Sequence, residues 1–357
     1  MNVFNNNALS PDSAIDVTAF QASGGCSCKL PSDALKAITT EATLAPARAE
    51  NHETDDAAFV ALDDGSVLIS SVDFQNPILP DAYLSGKIAA LNALSDIFAC
   101  GAKPMWADVV LALPRVAEHE QVAMGQRFMT GLAEVCASVD CNIVGGHTVV
   151  LETPLVGLAV RSVAHSDRIK KKSGAAPGDV VFVTKPVGNG VAVAARQSGF
   201  LQDDAWKAAE GAMLSANSIG AILGLESCVT SLTDVTGFGL LGHAVEVGDA
   251  GDVCIELNMS TVPLLPGVKR AAGAGHVPML ANANWESFEE SVECRTDLSA
   301  VERMLLADPQ TNGGLLITAS PEHADHVKQV CAAHGVTATI IGCVGERVSH
   351  PCRIVKE

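Results

Sequence analysis

A short segment near the start of the chain, Gly24-Gly25-Cys26-Ser27-Cys28-Lys29, sets two thiols beside an ammonium on glycine-flanked backbone. A neighbouring cation favours the thiolate, the nucleophilic form of cysteine. Glycines let the segment swing and let its backbone approach a ligand closely. Downstream, aspartates stand in four short contexts: Thr54-Asp55-Asp56-Ala57-Ala58, Ser71-Val72-Asp73-Phe74, Asn92-Ala93-Leu94-Ser95-Asp96-Ile97-Phe98 and Thr233-Asp234-Val235-Thr236-Gly237-Phe238-Gly239. Mg2+ takes oxygen ligands from a few carboxylates and shares them with substrate phosphates, so single aspartates on separate loops suit a metal–phosphate site. The competing role of Asp is to form turns and caps, and Asp63 and Asp64 are assigned to it. A thiol–lysine arm with scattered carboxylates predicts a soft nucleophile delivered to a metal-bound phosphate.

Other segments are less specific. Cys26-Ser27-Cys28 is a single pair, whereas zinc sites use four ligands at C-x-x-C or related spacings; by itself the segment reads equally as a tail with incidental thiols. Thr236-Gly237-Phe238-Gly239-Leu240-Leu241-Gly242-His243 places glycines where a helix begins, a setting suited to phosphate or metal. Gly145-Gly146-His147-Thr148, between strand-like runs, fits either phosphate contact or a tight turn. Asp308-Pro309-Gln310-Thr311-Asn312-Gly313-Gly314 says little beyond turn. Lys185-Pro186-Val187-Gly188-Asn189-Gly190 is not a dinucleotide fingerprint, because Val193 stands where the third glycine belongs and no acidic residue follows suitably. No Walker lysine motif, H-E-x-x-H or G-x-S-x-G occurs. His165, His276 and His334 read as surface or satisfied interior residues.

The elements that must position these groups follow from composition and periodicity. A chain of 357 residues suggests two domains and can bury a large core without disulfides. Its 23 basic and 41 acidic residues give a formal charge of −18, which argues against nucleic acid and against anionic membrane surfaces. No apolar run reaches the ~18 residues of a membrane helix. The start of the chain lacks signal-peptide character, so its 11 scattered cysteines read as reduced thiols of a cytoplasmic protein. Strands are expected over 57–62 and 67–72 with a turn at Asp63-Asp64-Gly65, then over 105–113, 142–150 and 154–163. Helices are expected over 84–100 and 117–138. Beyond a basic, then Gly/Pro-rich stretch from Ser166 to Asp179 come strands 180–184, 253–257, 314–319 and 338–344. Helices follow Gly190 and cover 205–223, 240–248, 266–274 and 321–334, with a turn at 234–239 and a less regular stretch to about 300. The composition shift divides the chain into an arm over 1–50, whose first 25 residues read as mobile, an N-terminal domain over 51–167 and a C-terminal domain over 168–357. The fold class is α/β (α+β), two successive units rather than one long sheet.

Taken in order, the motifs resemble the selenophosphate synthetase (selenide, water dikinase) family: the Cys26/Cys28/Lys29 segment, Asp55-Asp56-Ala57-Ala58, Asp73-Phe74, Asn92 to Phe98, Gly145 to Thr148, Thr184-Lys185-Pro186, Thr233 to His243 and Asp308 to Thr311, spread over about residues 24 to 320. The resemblance implies a PurM-like two-domain fold and a homodimer whose N-terminal domains pair their sheets into a β-barrel-like interface. It implies conversion of ATP, selenide and water to selenophosphate, AMP and phosphate, with Mg2+ and a stimulating K+, and selenium-delivery proteins as further partners. By the resemblance Cys26 handles the selenium and Lys29 contacts the phosphates. Asp56, Asp96 and Asp234 are the magnesium ligands. Glu53, Thr54, Asp55, Asp73 and Asp96 line the nucleotide site, and Gly146, His147 and Thr148 add phosphate contacts, across the dimer. Ser27, Thr148 and Asn312 depart from residues common in the family, and the match is weakest just before Asp55. An amidine-forming ligase or thiamine-phosphate kinase would share the metal aspartates but not the Cys/Lys segment. A selenium or metal carrier would need the thiols but not the aspartates.

Overall fold

The computed structural model describes residues 16–20, 24, 25, 29, 30, 34 and 55–357. Five strands form the first sheet: β1 (Ala58–Ala61), β2 (Ser66–Gln75), β3 (Trp106–Pro114), β4 (Asn142–Leu151) and β5 (Leu155–His165), in spatial order β1-β2-β5-β3-β4. β1 and β2 pair as the hairpin that Asp63-Asp64-Gly65 predicts. Along β2 the side chains alternate as a half-buried strand requires: Val67, Ile69, Asp73 and Gln75 are buried, while Val72 and Phe74 are exposed. α1 (Ala82–Ala99) packs on β2 and β5, and α2 (Glu118–Ser138) packs on α1 and on β3 and β4. Asp81 caps α1 by accepting from the Leu84 N–H at 3.0 Å. Fourteen of the 18 residues of α1 are buried, so it is apolar on every side and lies between layers.

The second sheet has seven strands: β6 (Val180–Val183), β7 (Val229–Asp234), β8 (Val253–Asn258), β9 (Val292–Cys294), β10 (Leu315–Ala319), β11 (Thr339–Glu346) and β12 (Cys352–Val355), in the order β7-β10-β6-β11-β8-β12-β9. Its helices are α3 (Asn189–Gln197), α4 (Asp203–Met213), α5 (Ile219–Leu223), α6 (Gly239–Gly251), α7 (Val268–Gly273), α8 (Met279–Phe288), α9 (Ala300–Leu306) and α10 (Ala324–Ala333). α1 reaches across to β7 and α5, joining the two halves. No helix among the described residues is long and apolar enough to cross a membrane.

Two expectations need correction. The helix expected over 205–223 is two helices, α4 and α5. The carbonyls of Met213 and Ser215 at the break accept from the Asn312 side chain at 2.6 and 2.8 Å, and Lys185 also donates to the Ser215 carbonyl at 2.7 Å. These side chains take bonds that helical N–H groups would otherwise supply. The irregular stretch before residue 300 holds α8 and β9, and β7 and β12 are strands that the apolar pattern does not announce. The described residues of the arm pack on the first half. Val17 is fully buried, its N–H donates to the Pro80 carbonyl at 3.1 Å, and Phe20 packs on the same core. Gly25 bridges antiparallel to Asn76, with its N–H 3.0 Å from the Asn76 carbonyl.

Candidate active site

Four aspartates far apart in sequence face one region. Asp56 sits just before β1, Asp73 is on the inner face of β2, Asp96 is on α1, and Asp234 ends β7. Their mutual influence is plain in their ionisation. Burial first, then the charges of Asp234, Asp73 and Asp56, pushes Asp96 well above the usual carboxylate range. Burial, then Asp56, pushes Asp234 up to about 6. Asp234 Oδ2 is buried with no hydrogen-bond partner, and so is Asp55 Oδ2. Buried acceptors left open beside clustered negative charge are what a cation would relieve. The carboxylates do not form a closed cage: among the described residues, these ligand atoms do not all lie within 4.8 Å of one another. That suits Mg2+, which keeps waters and uses one or two carboxylates together with substrate phosphates.

The supporting shell is ordered. The Ser71 hydroxyl donates to Asp96 Oδ2. Asn92 donates to Asp73 Oδ2 and accepts from the Asn312 N–H at 2.7 Å. Asp56 accepts from the Thr233 hydroxyl at 2.9 Å and lies 2.8 Å from the Lys172 ammonium. Lys172 Nζ is also 2.8 Å from Glu246 Oε2. Burial opposes the charge of Lys172, but these two carboxylates outweigh burial and raise its pKa. Lys172 in turn, with His243, outweighs burial at Glu246 and holds it at about 2. His243 Nε2 accepts from the Thr236 N–H at 3.0 Å, which leaves its Nδ1 facing Glu246 Oε2 at 3.1 Å. A chain of polar contacts thus runs from the loop after Asp234 back to Asp56.

One residue of the arm, Lys29, reaches this region. Lys29 Nζ lies 2.9 Å from Asp73 Oδ2. Its stem covers Gly237, where an added Cβ would stand 3.1 Å from Lys29 Cδ. Gly25 adopts φ +62°, and a Cβ there would collide with Thr311 Oγ1 and Ile78. Glycine therefore fits this position on both counts.

The loop from Asp308 to Gly314 is a hub rather than a plain turn. Gln310 Oε1 accepts from the N–H groups of Gly188 and Asn189 at 3.0 and 3.1 Å. Asp308 accepts from the Gly190 N–H at 2.9 Å, and burial pushes its carboxyl up to about 8. Lys185 donates to the carbonyls of Ser215 and Asn312 at 2.7 and 2.9 Å, and burial pushes its ammonium down to about 7. Asn217 ties the same loop to Ser95 on α1.

Of the residues singled out from sequence, Lys29, Asp56, Asp73, Asp96 and Asp234 are brought together, with Asp55 beside them accepting from the Lys172 N–H at 3.3 Å. Gly146, His147 and Thr148 lie within β4, not between strands, and are exposed on the edge of the first sheet. Cys26, Glu53 and Thr54 lie outside the described residues. Sequence reasoning missed Lys172, Glu246 and Asn92, and it gave Lys185 and Asn312 no structural role. For Lys172 no signal was available, because it closes a basic run that resembles a linker. For Asp73 the signal is parity: it follows Val67 and Ile69 on the inward face of β2.

The geometry agrees with the relatives of the chain. Residues 54–164 match the family AIR synthase related protein, N-terminal domain, and residues 176–351 match AIR synthase related protein, C-terminal domain. The fold is similar to that of a thiamine-monophosphate kinase from Stenotrophomonas maltophilia K279a, with a TM-score of 0.64, covering 91% of this chain and 96% of that one. At 18% identity that likeness concerns fold alone. A selenide, water dikinase of Burkholderia orbicola is 35% identical, covering 95% of this chain and 96% of its own. One from Photorhabdus laumondii subsp. laumondii is 36% identical over 339 residues, 94% of this chain and 96% of the relative. With identity at that level over nearly its whole length, the chain belongs to the selenide, water dikinase family.

Proposed function

We propose that Lys29, Asp56, Asp73, Asp96 and Asp234 form the working centre of an ATP-dependent enzyme that makes selenophosphate from ATP, selenide and water. The observation that carries this reading is the seating of Lys29 on Asp73 and Gly237, beside the clustered carboxylates. Asp56, Asp96 and Asp234 would hold Mg2+, with the open Asp234 oxygen as the group most in need of it. When bound, that ion would neutralise phosphate charge. Asn92 and Ser71 orient Asp73 and Asp96. Lys172 balances Asp56 and Glu246 and holds Asp56 in place. Lys29 offers a compact charge to the transferring phosphoryl group, and Cys26, three residues before it, handles selenium. Closure of the arm would keep water from the first transfer, in which the phosphoryl goes to selenide. Glu53, Thr54 and Asp55 complete the nucleotide side, and K+ acts as a stimulating ion.

The exposed strand β4 supports the rest of the reading. A second copy would cover it and bring Gly146, His147 and Thr148 to the partner's phosphates. ATP binds chiefly to the domain over 51–167, and the domain over 168–357 closes against it. The nine described cysteines are all free, which suits the cytoplasm, where selenium-delivery proteins would supply the substrate. The test is 31P NMR of the protein with ATP, Mg2+ and selenide. Wild type should yield selenophosphate, and Lys29→Ala and Cys26→Ser should not, while both still bind ATP. Wild-type yield from Lys29→Ala would remove the arm from the chemistry.

A further inference from the structure

A second cluster of metal-binding side chains lies outside this centre. Glu226 and Cys228 occupy the turn between α5 and β7, where the Val229 N–H donates to the Glu226 carbonyl at 3.1 Å. His326 stands on the first turn of α10, and its Nε2 is 2.8 Å from Glu226 Oε2. With Cys228 Sγ, the three ligand atoms all lie within 4.8 Å of one another, the one such set among the described residues. Their backbones are held: the Ser320 N–H donates to the Cys228 carbonyl at 3.1 Å, and Lys170 donates to the Glu226 carbonyl at 3.0 Å. Cys228 is a free thiol. Asp234 lies six positions further along the chain, and at about 3.3 Å per strand residue that sets the cluster ~20 Å from the carboxylates.

The donor set selects its ion. A thiolate, an imidazole and a carboxylate together suit Zn2+, which binds S, N and O in a tetrahedron. Mg2+ demands oxygen ligands in an octahedron and has no use for the thiol. With the three ligand atoms within 4.8 Å of one another, only small side-chain rotations separate the present arrangement from one centred on an ion.

We propose that Glu226, Cys228 and His326 bind one zinc ion, with water at the fourth position, pinning α10 to the turn that starts β7. Loading releases the Cys228 proton to solvent and replaces the direct His326–Glu226 contact with two bonds to the metal. The site is separate from the magnesium centre, and it does not depend on the function proposed above.

The test uses the full chain, stripped with a chelator, kept reduced without added thiols, and loaded with Zn2+ or with Co2+ as a spectroscopic probe. Wild type should retain one more equivalent of zinc than Cys228→Ser. Its cobalt form should show a thiolate-to-cobalt charge-transfer band that Cys228→Ser loses. The double variant Cys26→Ser/Cys28→Ser should keep that band, which separates this site from the arm. His326→Gln, an exposed helix position that tolerates substitution, should weaken zinc binding by at least about tenfold, since even an outer hydrogen-bond partner of a metal ligand is worth 10–100-fold. Magnesium-dependent turnover of the zinc-free variants should match wild type. Equal zinc stoichiometry and affinity in wild type, Cys228→Ser and His326→Gln would overturn the proposal.

Discussion

The two sheets are built from similar strands but finished differently. β10, inside the second sheet, is buried at all five positions. β4, at the edge of the first, is exposed at nine of ten. Val144, Val150 and Leu151 on β4 are 62%, 45% and 44% exposed, and Val72 and Phe74 on the outward side of β2 are 59% and 46% exposed. The C-terminal half closes its own core. The N-terminal half supplies three of the four clustered aspartates, yet among the described residues it leaves apolar side chains exposed and the β4 edge without a strand partner. An open edge of this kind invites pairing with another chain. The region that holds most of the clustered carboxylates is therefore also the one with the open strand edge and the exposed apolar side chains.

Substitutions in the two sheets should separate these roles. Ile317→Ala, in the fully buried β10, should cost ~2–5 kcal/mol of stability, read by denaturant unfolding. Val150→Ala on β4 should change the stability of the dilute chain by less than about 0.5 kcal/mol. Equal losses for the two would erase the contrast.

At the junction of the halves, Asp234→Asn should lower ATP turnover by about 100-fold or more, roughly 2.7 kcal/mol on the barrier. Its stability in the absence of magnesium should hold or rise, because Asp56 and Asp96 lose a repelling neighbour. Removing magnesium with a chelator should reproduce the activity loss in wild type. A folded Asp234→Asn protein with normal turnover would take Asp234 out of the metal site.

Val150→Asp should weaken self-association by at least about tenfold, or ~1.4 kcal/mol, seen by light scattering as loss of a species of twice the chain mass. Val348→Asp, at an exposed apolar position of the C-terminal half, should leave association unchanged. If both substitutions behave alike, β4 is not the contact.

A further effect is expected from pH. The Asp308 carboxyl is pushed up from 3.8 to about 8 by burial, so the folded chain holds a proton there that the unfolded chain has lost. Between those values the folded state binds more protons, and the contribution of this group to stability falls as pH rises from about 4 to about 8. Asp308→Asn cannot titrate and should flatten that part of a stability–pH curve. An unchanged slope would show that Asp308 is ionised in the folded protein.

What could be read from the sequence was local. The β1–β2 hairpin, the span of α1 and the contexts of Asp56, Asp73, Asp96 and Asp234 were legible because each signal is carried by residues a few positions apart. The order of these motifs along the chain was enough to point to a family. The same reasoning failed where partners are remote. Asn92 meets Asn312 across 220 residues, Asn217 meets Ser95 across 122, and Lys172 meets Glu246 across 74. Lys172 could not be told from a solvated linker lysine, because its burial depends on α6 packing against it. The break between α4 and α5 was hidden for the same reason, since the side chains that cap the broken helix come from the strand β6 end and the Asp308–Gly314 loop. The sequence by itself determined the local elements and the residue types available for chemistry. Only the tertiary structure decided which charges are buried together, because that depends on desolvation and on contacts between segments that no short-range pattern records.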